Sequence, residues 1–241
     1  MAIAVCHDRL GIVTDDVELD ATMIDGSARD RVAVEGADAA SYLQGQITQD
    51  IRDLAVGETR WTLILEPGGK IEALARITRL GDDRFVLDTD GGFGDRLAAR
   101  LARFKIRVAA EISVEPAASD APSMAHEAAR IAAGWPRMGY EIEPGETIPA
   151  STGVEAVAVS FTKGCYPGQE LVERMNSRVA GAPRSLRIVD AAPGAAIGDP
   201  VVDVTGNDVG EITSVSPDGA LALAYVKRGV DVGRPPTHIP A

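Results

Sequence analysis

Cysteine is scarce in this chain: Cys6 and Cys165 are the only two in 241 residues. One disulfide between them is conceivable, but a disulfide framework is excluded. Histidine is nearly as scarce, and His7, His126 and His238 lie far apart. A zinc cluster or a protein-only iron–sulfur cage needs several such ligands close together, so no metal site is expected. Aromatic residues make up 4% of the chain, too few for a protein specialised in stacking nucleic-acid bases. Lys and Arg total 24 against 36 Asp and Glu, a net charge of -12. A phosphate backbone is therefore not an expected partner. A local basic pocket for a small anion stays open, because local field and total charge are separate quantities. The run Asp15, Asp16, Glu18 and Asp20 reads as solvated surface. No apolar run approaches the roughly 18 residues of a membrane helix, and no secretory segment precedes Cys6-His-Asp-Arg. The expectation is a cytoplasmic protein with no nucleic-acid or membrane partner. Nothing in the charge pattern marks a dimer surface, so a monomer is expected.

Hydrophobic residues reach 45% and charged residues 25%, an ordinary globular balance. Arg31–Val34 reads as a strand, after which Gly36 breaks the chain and Asp38 can cap a helix through residues 41–46. Trp61–Leu65, Ile71–Ile77 and Phe85–Leu87 read as strands of a meander, with Glu66-Pro-Gly-Gly-Lys70 as a strong reversal. Phe93, Leu97, Leu101 and Phe104 recur at helical spacing. Arg96, Arg100 and Arg103 fall on the opposite side, expected to be wet. Ile106–Val108 returns to strand. A connector near 115–125 leads to a helix over 125–134, and 141–149 is polar and turn-rich. From Leu186 onward, short β segments alternate with Gly and Pro, which suggests a small C-terminal β-barrel. The overall class is α+β. The expected division is a body over 1–179 and a barrel over 180–241, joined by a hinge at Val179–Pro183.

The segment Phe161-Thr-Lys-Gly-Cys-Tyr-Pro-Gly-Gln-Glu170 concentrates the chemistry. Pro167 suits a first helical position, and Leu171, Val172 and Met175 form an apolar stripe behind it. Cys165 then lies just ahead of a helix N-terminus, and Lys163 is close in sequence. Both features favour a thiolate. Gly164 and Gly168 allow close backbone approach or positive dihedrals, and Gln169 can orient a ligand amide or carboxylate. The plainer reading is a tight strand-to-helix turn that buries Cys165. No Cys–His dyad is evident.

Lys163-Gly-Cys-Tyr-Pro-Gly-Gln-Glu170 resembles the Lys-Gly-Cys-aromatic-x-Gly-Gln-Glu signature of the YgfZ family. These are folate-binding proteins related to the glycine cleavage T-protein, an aminomethyltransferase. Tyr42-Leu-Gln-Gly-Gln-Ile-Thr-Gln-Asp50, Leu65-Glu-Pro-Gly-Gly-Lys-Ile71, Phe104-Lys-Ile-Arg-Val108, Arg130-Ile-Ala-Ala-Gly-Trp-Pro136, Gly210–Ser214 and Ala220–Arg228 resemble further family segments in the same order. The resemblance implies a T-protein-like folate-binding fold: intertwined α/β modules around a central opening, with a small β-barrel packed against them. It also implies tetrahydrofolate or a related folate as cofactor, and iron–sulfur client or assembly proteins as partners. Two positions depart from the pattern. Ala132 stands where an acidic residue is usual, and Ala150 where Gln or Glu is usual.

Carried onto this chain, the resemblance makes Cys165 the chemically active residue, with Lys163 lowering its pKa. Arg130 and Arg178 become candidates for the folate carboxylates, and Gln44, Gln46 and Asp50 for the lining of the opening. Trp135 could stack on a planar ring. Gly164, Tyr166, Gly168, Gln169 and Glu170 complete the expected site. Local capping by Gln44 and Gln46, helix-end charges for the arginines and a core Trp135 are the plainer alternatives. Three functions follow: a folate-binding accessory protein for assembly, maintenance or repair of iron–sulfur enzymes; a folate-dependent aminomethyltransferase or demethylase; and a non-catalytic scaffold.

Overall fold

The computed structural model describes residues 29–116, 123–177 and 181–237. Arg178, Cys6 and the acidic run at 15–20 lie outside the described residues, as do residues 117–122 of the connector. The body holds five antiparallel strands: β1 (Arg29–Glu35), β2 (Thr59–Leu65), β3 (Ile71–Arg79), β4 (Arg84–Asp90) and β5 (Glu111–Glu115), in the order β2-β3-β4-β1-β5. Among the described residues six helices accompany them: α1 (Ala39–Gln44), α2 (Gly94–Arg103), α3 (Met124–Ala133), α4 (Pro149–Thr152), α5 (Glu155–Ala158) and α6 (Gln169–Ser177). No helix among them is long and apolar enough to cross a membrane.

The sheet is the middle layer. Successive strand residues point to opposite faces. On one face Val32, Val34, Ala73, Ala75, Ile77, Phe85 and Leu87 pack with Tyr42 and Leu43 of α1 and with Leu97 and Leu101 of α2. On the other, Trp61, Leu63, Leu65 and Leu74 pack with Trp135, Met138, Ile142, Val154, Tyr166 and Val172. Strands β2 and β3 are covered on both sides, so Leu63, Leu65 and Leu74 are as buried as Ile64, Ala73 and Ala75. The body therefore carries one sheet among the described residues. The rest of it is short helices and turns laid on the second face.

Three local expectations change. The strand after α2 is Glu111–Glu115, not 106–108. Arg107 has φ 57, which an extended strand cannot accommodate. Asp38 occupies the first position before α1 but does not cap it; its carboxylate accepts a hydrogen bond from the Ala109 N–H at 2.8 Å. Arg100, expected in water, is 3% exposed. Its Nε and Nη2 donate to the Leu65 carbonyl at 2.8 and 2.6 Å. The β2–β3 ladder shifts register at Leu65, and Arg100 supplies donors to that carbonyl.

The expected C-terminal barrel is an open sheet. Strands β6 (Arg184–Asp190), β7 (Pro200–Val202), β8 (Asp208–Val215) and β9 (Leu221–Lys227) run in the order β6-β9-β8-β7. Closure would need β6 to pair with β7. Instead Ile188 of β6 exchanges backbone hydrogen bonds with Arg234, both at 2.9 Å. Strand β7 is three residues long, with a register shift between Val201 and Val202. A cleft of about 500 Å³, bordered by Ile188, Val201 and Val232, separates the two strands. The inner side of this sheet packs on α3 through Ile131, Leu186, Ile188, Leu223 and Tyr225.

Candidate functional site

The cysteine loop is held in three ways. First, Lys163 is 6% exposed, and its ammonium donates to the carbonyls of Gln44, Ile47 and Gln49 at 2.7, 2.6 and 3.0 Å. The end of α1 and the turn after it, from Gln44 to Gln49, thus form a carbonyl cage for the lysine of a motif more than 110 residues later. Burial pushes the Lys163 pKa down to about 8, with the Asp50 carboxylate opposing and Arg52 assisting. Second, Tyr166 drops into the core beneath the loop. It is buried, its hydroxyl has no hydrogen-bond partner, and burial raises its pKa to about 12. Third, Gly168 has φ +87, and a Cβ there would meet the Glu66 carbonyl oxygen at 2.7 Å and the Gly69 Cα at 2.8 Å. The Glu66–Lys70 reversal and the cysteine loop therefore pack back to back. Only glycine fits this contact.

Cys165 is a free, exposed thiol. Of the two readings of the loop, burial of Cys165 is the one the geometry rejects. Pro167 lies before α6, which starts two residues later than a first-turn proline requires. The Lys163 ammonium is engaged by three backbone oxygens, so its role is to anchor the loop. Gly164 is exposed with open space around it. Gln169 opens α6, and Glu170 on its exposed side pairs with Arg174.

The remaining expected residues divide into two groups. Gln44 and Asp50 stay with the cage. Gln44 donates to Asp50 at 3.2 Å and accepts from the Ile51 N–H at 2.9 Å. Asp50 pairs with Arg52, whose hydrogen bonds hold its carboxyl well below the ordinary range. Gln46 accepts from Arg100 at 3.4 Å. Gln44 and Asp50 thus brace the local backbone, and Gln46 meets a side chain of α2. Arg130 and Trp135 sit elsewhere. Arg130 is 2% exposed. Its Nη1 donates to the Trp135 carbonyl and to Glu141 at 2.7 and 3.0 Å. Its Nε and Nη2 donate to Glu127, and Nη2 also donates to Ser214. All five N–H groups are thereby used inside the protein. Ala132 on α3 is exposed.

Trp135 is 6% exposed and packs on Trp61, with ring centroids 4.5 Å apart. Around Trp61 lies a charged group that the strand pattern concealed. Arg29 and Arg76 stand 5.6 and 6.0 Å from its ring centroid. Both arginines pair with Asp88, and Arg29 also reaches Asp90 at 3.0 Å. The other oxygen of Asp90 accepts from the Met138 N–H at 2.9 Å. The available signal was period two: Arg76 and Asp88 occupy alternate positions on the same face as Leu74 and Trp61. Trp135 and Tyr166 belong to one core cluster, so this charged group and the cysteine loop share a foundation.

Sequence reasoning also missed Glu155. It is the one charged residue in the apolar run Val154-Glu-Ala-Val-Ala-Val159. Its Oε2 is buried without a hydrogen-bond partner, and burial raises its pKa to about 7. It lines a cavity of about 320 Å³ under α6. No group of His, Cys, Asp and Glu among the described residues is arranged to hold a metal ion.

Comparison with known proteins adds three findings. Residues 13–125 match the GCVT N-terminal domain. An uncharacterized protein of Haemophilus influenzae is 29% identical over 239 residues, covering 81% of this chain and 85% of that protein. The glycine cleavage system aminomethyltransferase T from Bartonella henselae superposes with a TM-score of 0.64 at 17% identity, over 84% of this chain and 77% of that one. The chain thus has an α+β T-protein-like fold, and its residues 13–125 are similar to the GCVT N-terminal domain.

Proposed function

We propose that this protein is a folate-binding accessory factor for the assembly, maintenance or repair of iron–sulfur enzymes, with Cys165 as its reactive group. The observation that carries the reading is an exposed thiol on a loop fixed by the Lys163 cage, the Tyr166 anchor and the Gly168 contact. Such a loop presents a sulfur at a defined position, which suits transfer or exchange chemistry at a partner's surface. Its residues carry the YgfZ-like signature, and the fold is shared with an aminomethyltransferase T.

Arg130 and Trp135, two of the residues expected at the folate, fit poorly. Arg130 has no N–H to spare, Ala132 lacks a polar group, and Trp135 is closed against Trp61. A better fit lies at the rim of Trp61. A pterin presents N–H donors and a carbonyl acceptor on one edge. The Asp90 carboxylate and the Arg76 guanidinium are complementary to these groups, and both are partly exposed. When bound there, the folate would carry the one-carbon unit, and the residues named would orient its ring.

The test is a calorimetric titration of reduced, anaerobic protein with tetrahydrofolate, repeated on Asp90→Asn. Stoichiometric binding that weakens at least tenfold in the variant supports the reading. Absence of binding removes the folate part. Alkylation of the reduced full chain should modify Cys165 ahead of Cys6, and equal rates would remove the reactive-thiol part. The scaffold reading draws its support from the internal satisfaction of Arg130. It requires Cys165→Ser to leave client-enzyme activity unchanged.

A further inference from the structure

The cavity under α6 is separate from the Trp61 rim. It is bounded by α4, α5, α6 and the approach to β6. Its volume of about 320 Å³ reaches the lower end of small-molecule sites, which run from about 300 to 1,000 Å³. Its walls mix apolar and polar surface: Leu171, Val172 and Met175 come from α6, and Phe161 from the loop ahead of Lys163. Glu155 is the only ionisable residue among the described residues that line it, and Asn176 adds an amide. The Glu155 Oε2 is shut off from solvent and bonded to nothing. An uncompensated buried carboxylate is costly, and a cation delivered into the cavity would remove that cost.

We propose that this cavity is a binding site for a small organic ammonium ion, with Glu155 as its counter-ion. Among the described lining residues an anion finds no cation, and a purely apolar ligand leaves the carboxylate unpaired. An alkylammonium satisfies both features. Its charged head meets Glu155, its chain covers Leu171 and Val172, and Phe161 offers a ring face to a cation. Met175 is an adaptable, polarizable wall. This inference goes beyond the folate reading and does not depend on it.

The site carries its own pH signature. Among neighbouring groups, Tyr225 on β9 feels the charge of Glu155 and has its pKa raised, chiefly by its own burial. Arg184 stacks 4.4 Å from the Tyr225 ring centroid. Glu170, Glu173 and Arg174 on α6 do not line the cavity. The Glu155 carboxyl, raised to about 7 by burial, is therefore the group that titrates at the ligand. An alkylammonium stays protonated well above that pH. Its affinity should then rise with pH, by roughly tenfold between pH 6 and pH 8 as the carboxyl ionises.

The experiment titrates the full, reduced chain with n-butylammonium chloride at pH 6 and pH 8. Butan-1-ol and butyrate serve as neutral and anionic probes of the same length. The expected result is binding of the ammonium with the stated rise and weak or no binding of the other two. Glu155→Gln should abolish the ammonium preference, with the fold checked by circular dichroism. Phe161→Leu keeps the carboxylate but removes the ring, and should weaken binding severalfold. The proposal is overturned if n-butylammonium does not bind, if butan-1-ol binds as well at pH 8, or if Glu155→Gln keeps the preference. A tetrahydrofolate titration in parallel reports on the other site alone.

Discussion

At the scale of single residues, two buried titratable groups behave in opposite ways. Lys163 lies in a cage of three carbonyls. Replacing it by Met leaves those oxygens without a donor, so Lys163→Met should cost about 2–4 kcal/mol in urea denaturation. Lys163→Arg should not restore the loss, because a planar guanidinium does not match a compact ammonium cage. A loss equal to that of an exposed lysine would show that the cage does not hold the loop. Glu155 has only its own backbone N–H to set against the cost of burial. Its folded pKa of about 7 lies above the ordinary 4.5, so the folded state holds a proton that the unfolded chain releases. Stability from this group is fully present below pH 4.5 and is lost as pH rises through 7. Glu155→Gln should therefore be more stable than the parent at pH 8, by about 3 kcal/mol, with little difference at pH 4. Thermal melts at the two pH values decide it. A variant less stable at pH 8 would contradict the direction.

At the scale of elements, the most consequential junction is between two turns. Gly168 and Gly69 face one another, and a Cβ on Gly69 would meet the Leu171 Cβ at 2.4 Å. Gly168→Ala adds a methyl group against backbone atoms at 2.7 and 2.8 Å, in a left-handed conformation. The expected cost is about 2–4 kcal/mol, from strain and overpacking together. Gly164→Ala has nothing within 4 Å and no positive φ, and should stay within about 0.5 kcal/mol of the parent. Equal effects at the two glycines, read from denaturation midpoints, would refute the packed-turn account. Elements with strong periodicity or strong punctuation were legible in the sequence. Helix α3 runs from the Ser123 cap, which accepts from the His126 N–H, to a left-handed Gly134. Strands β2 to β4 lie where alternation and the Pro-Gly-Gly reversal put them. What escaped was information carried by distant partners. Arg100 looked like one of three surface arginines on α2, and only the Leu65 carbonyl across the sheet explains its burial. The motif around Lys163 was legible as chemistry, but its partner carbonyls lie in another motif. A barrel was expected from short β segments, and pairing of Ile188 with Arg234 kept it open.

At the scale of the whole molecule, one polar network ties the C-terminal sheet to the rest. Glu141 has a fully buried side chain, and so in effect has Arg130, at 0% and 2% exposure. Glu141 accepts from the hydroxyls of Thr213 and Ser214 on β8 at 2.9 and 2.5 Å. The Tyr225 hydroxyl on β9 donates to the Glu141 carbonyl at 2.8 Å. Arg130 on α3 closes the network through Glu127, Glu141 and Ser214. Removing one charge strands the other in a dry place, so Arg130→Met should cost about 3–5 kcal/mol. The double change Arg130→Met with Glu141→Gln removes both charges and should cost less than the sum of the two single changes. The network also lies between two hydrophobic clusters, one holding Trp61 and Trp135 and the other holding Ile131 with Tyr225. Its loss should therefore act unevenly. Hydrogen exchange in Arg130→Met should show β6, β8 and β9 losing protection before β1 to β4, because the body sheet keeps its own two-sided core. Uniform loss across both sheets would mean that the molecule opens as one unit, and that the network is only one contribution to a single cooperative core.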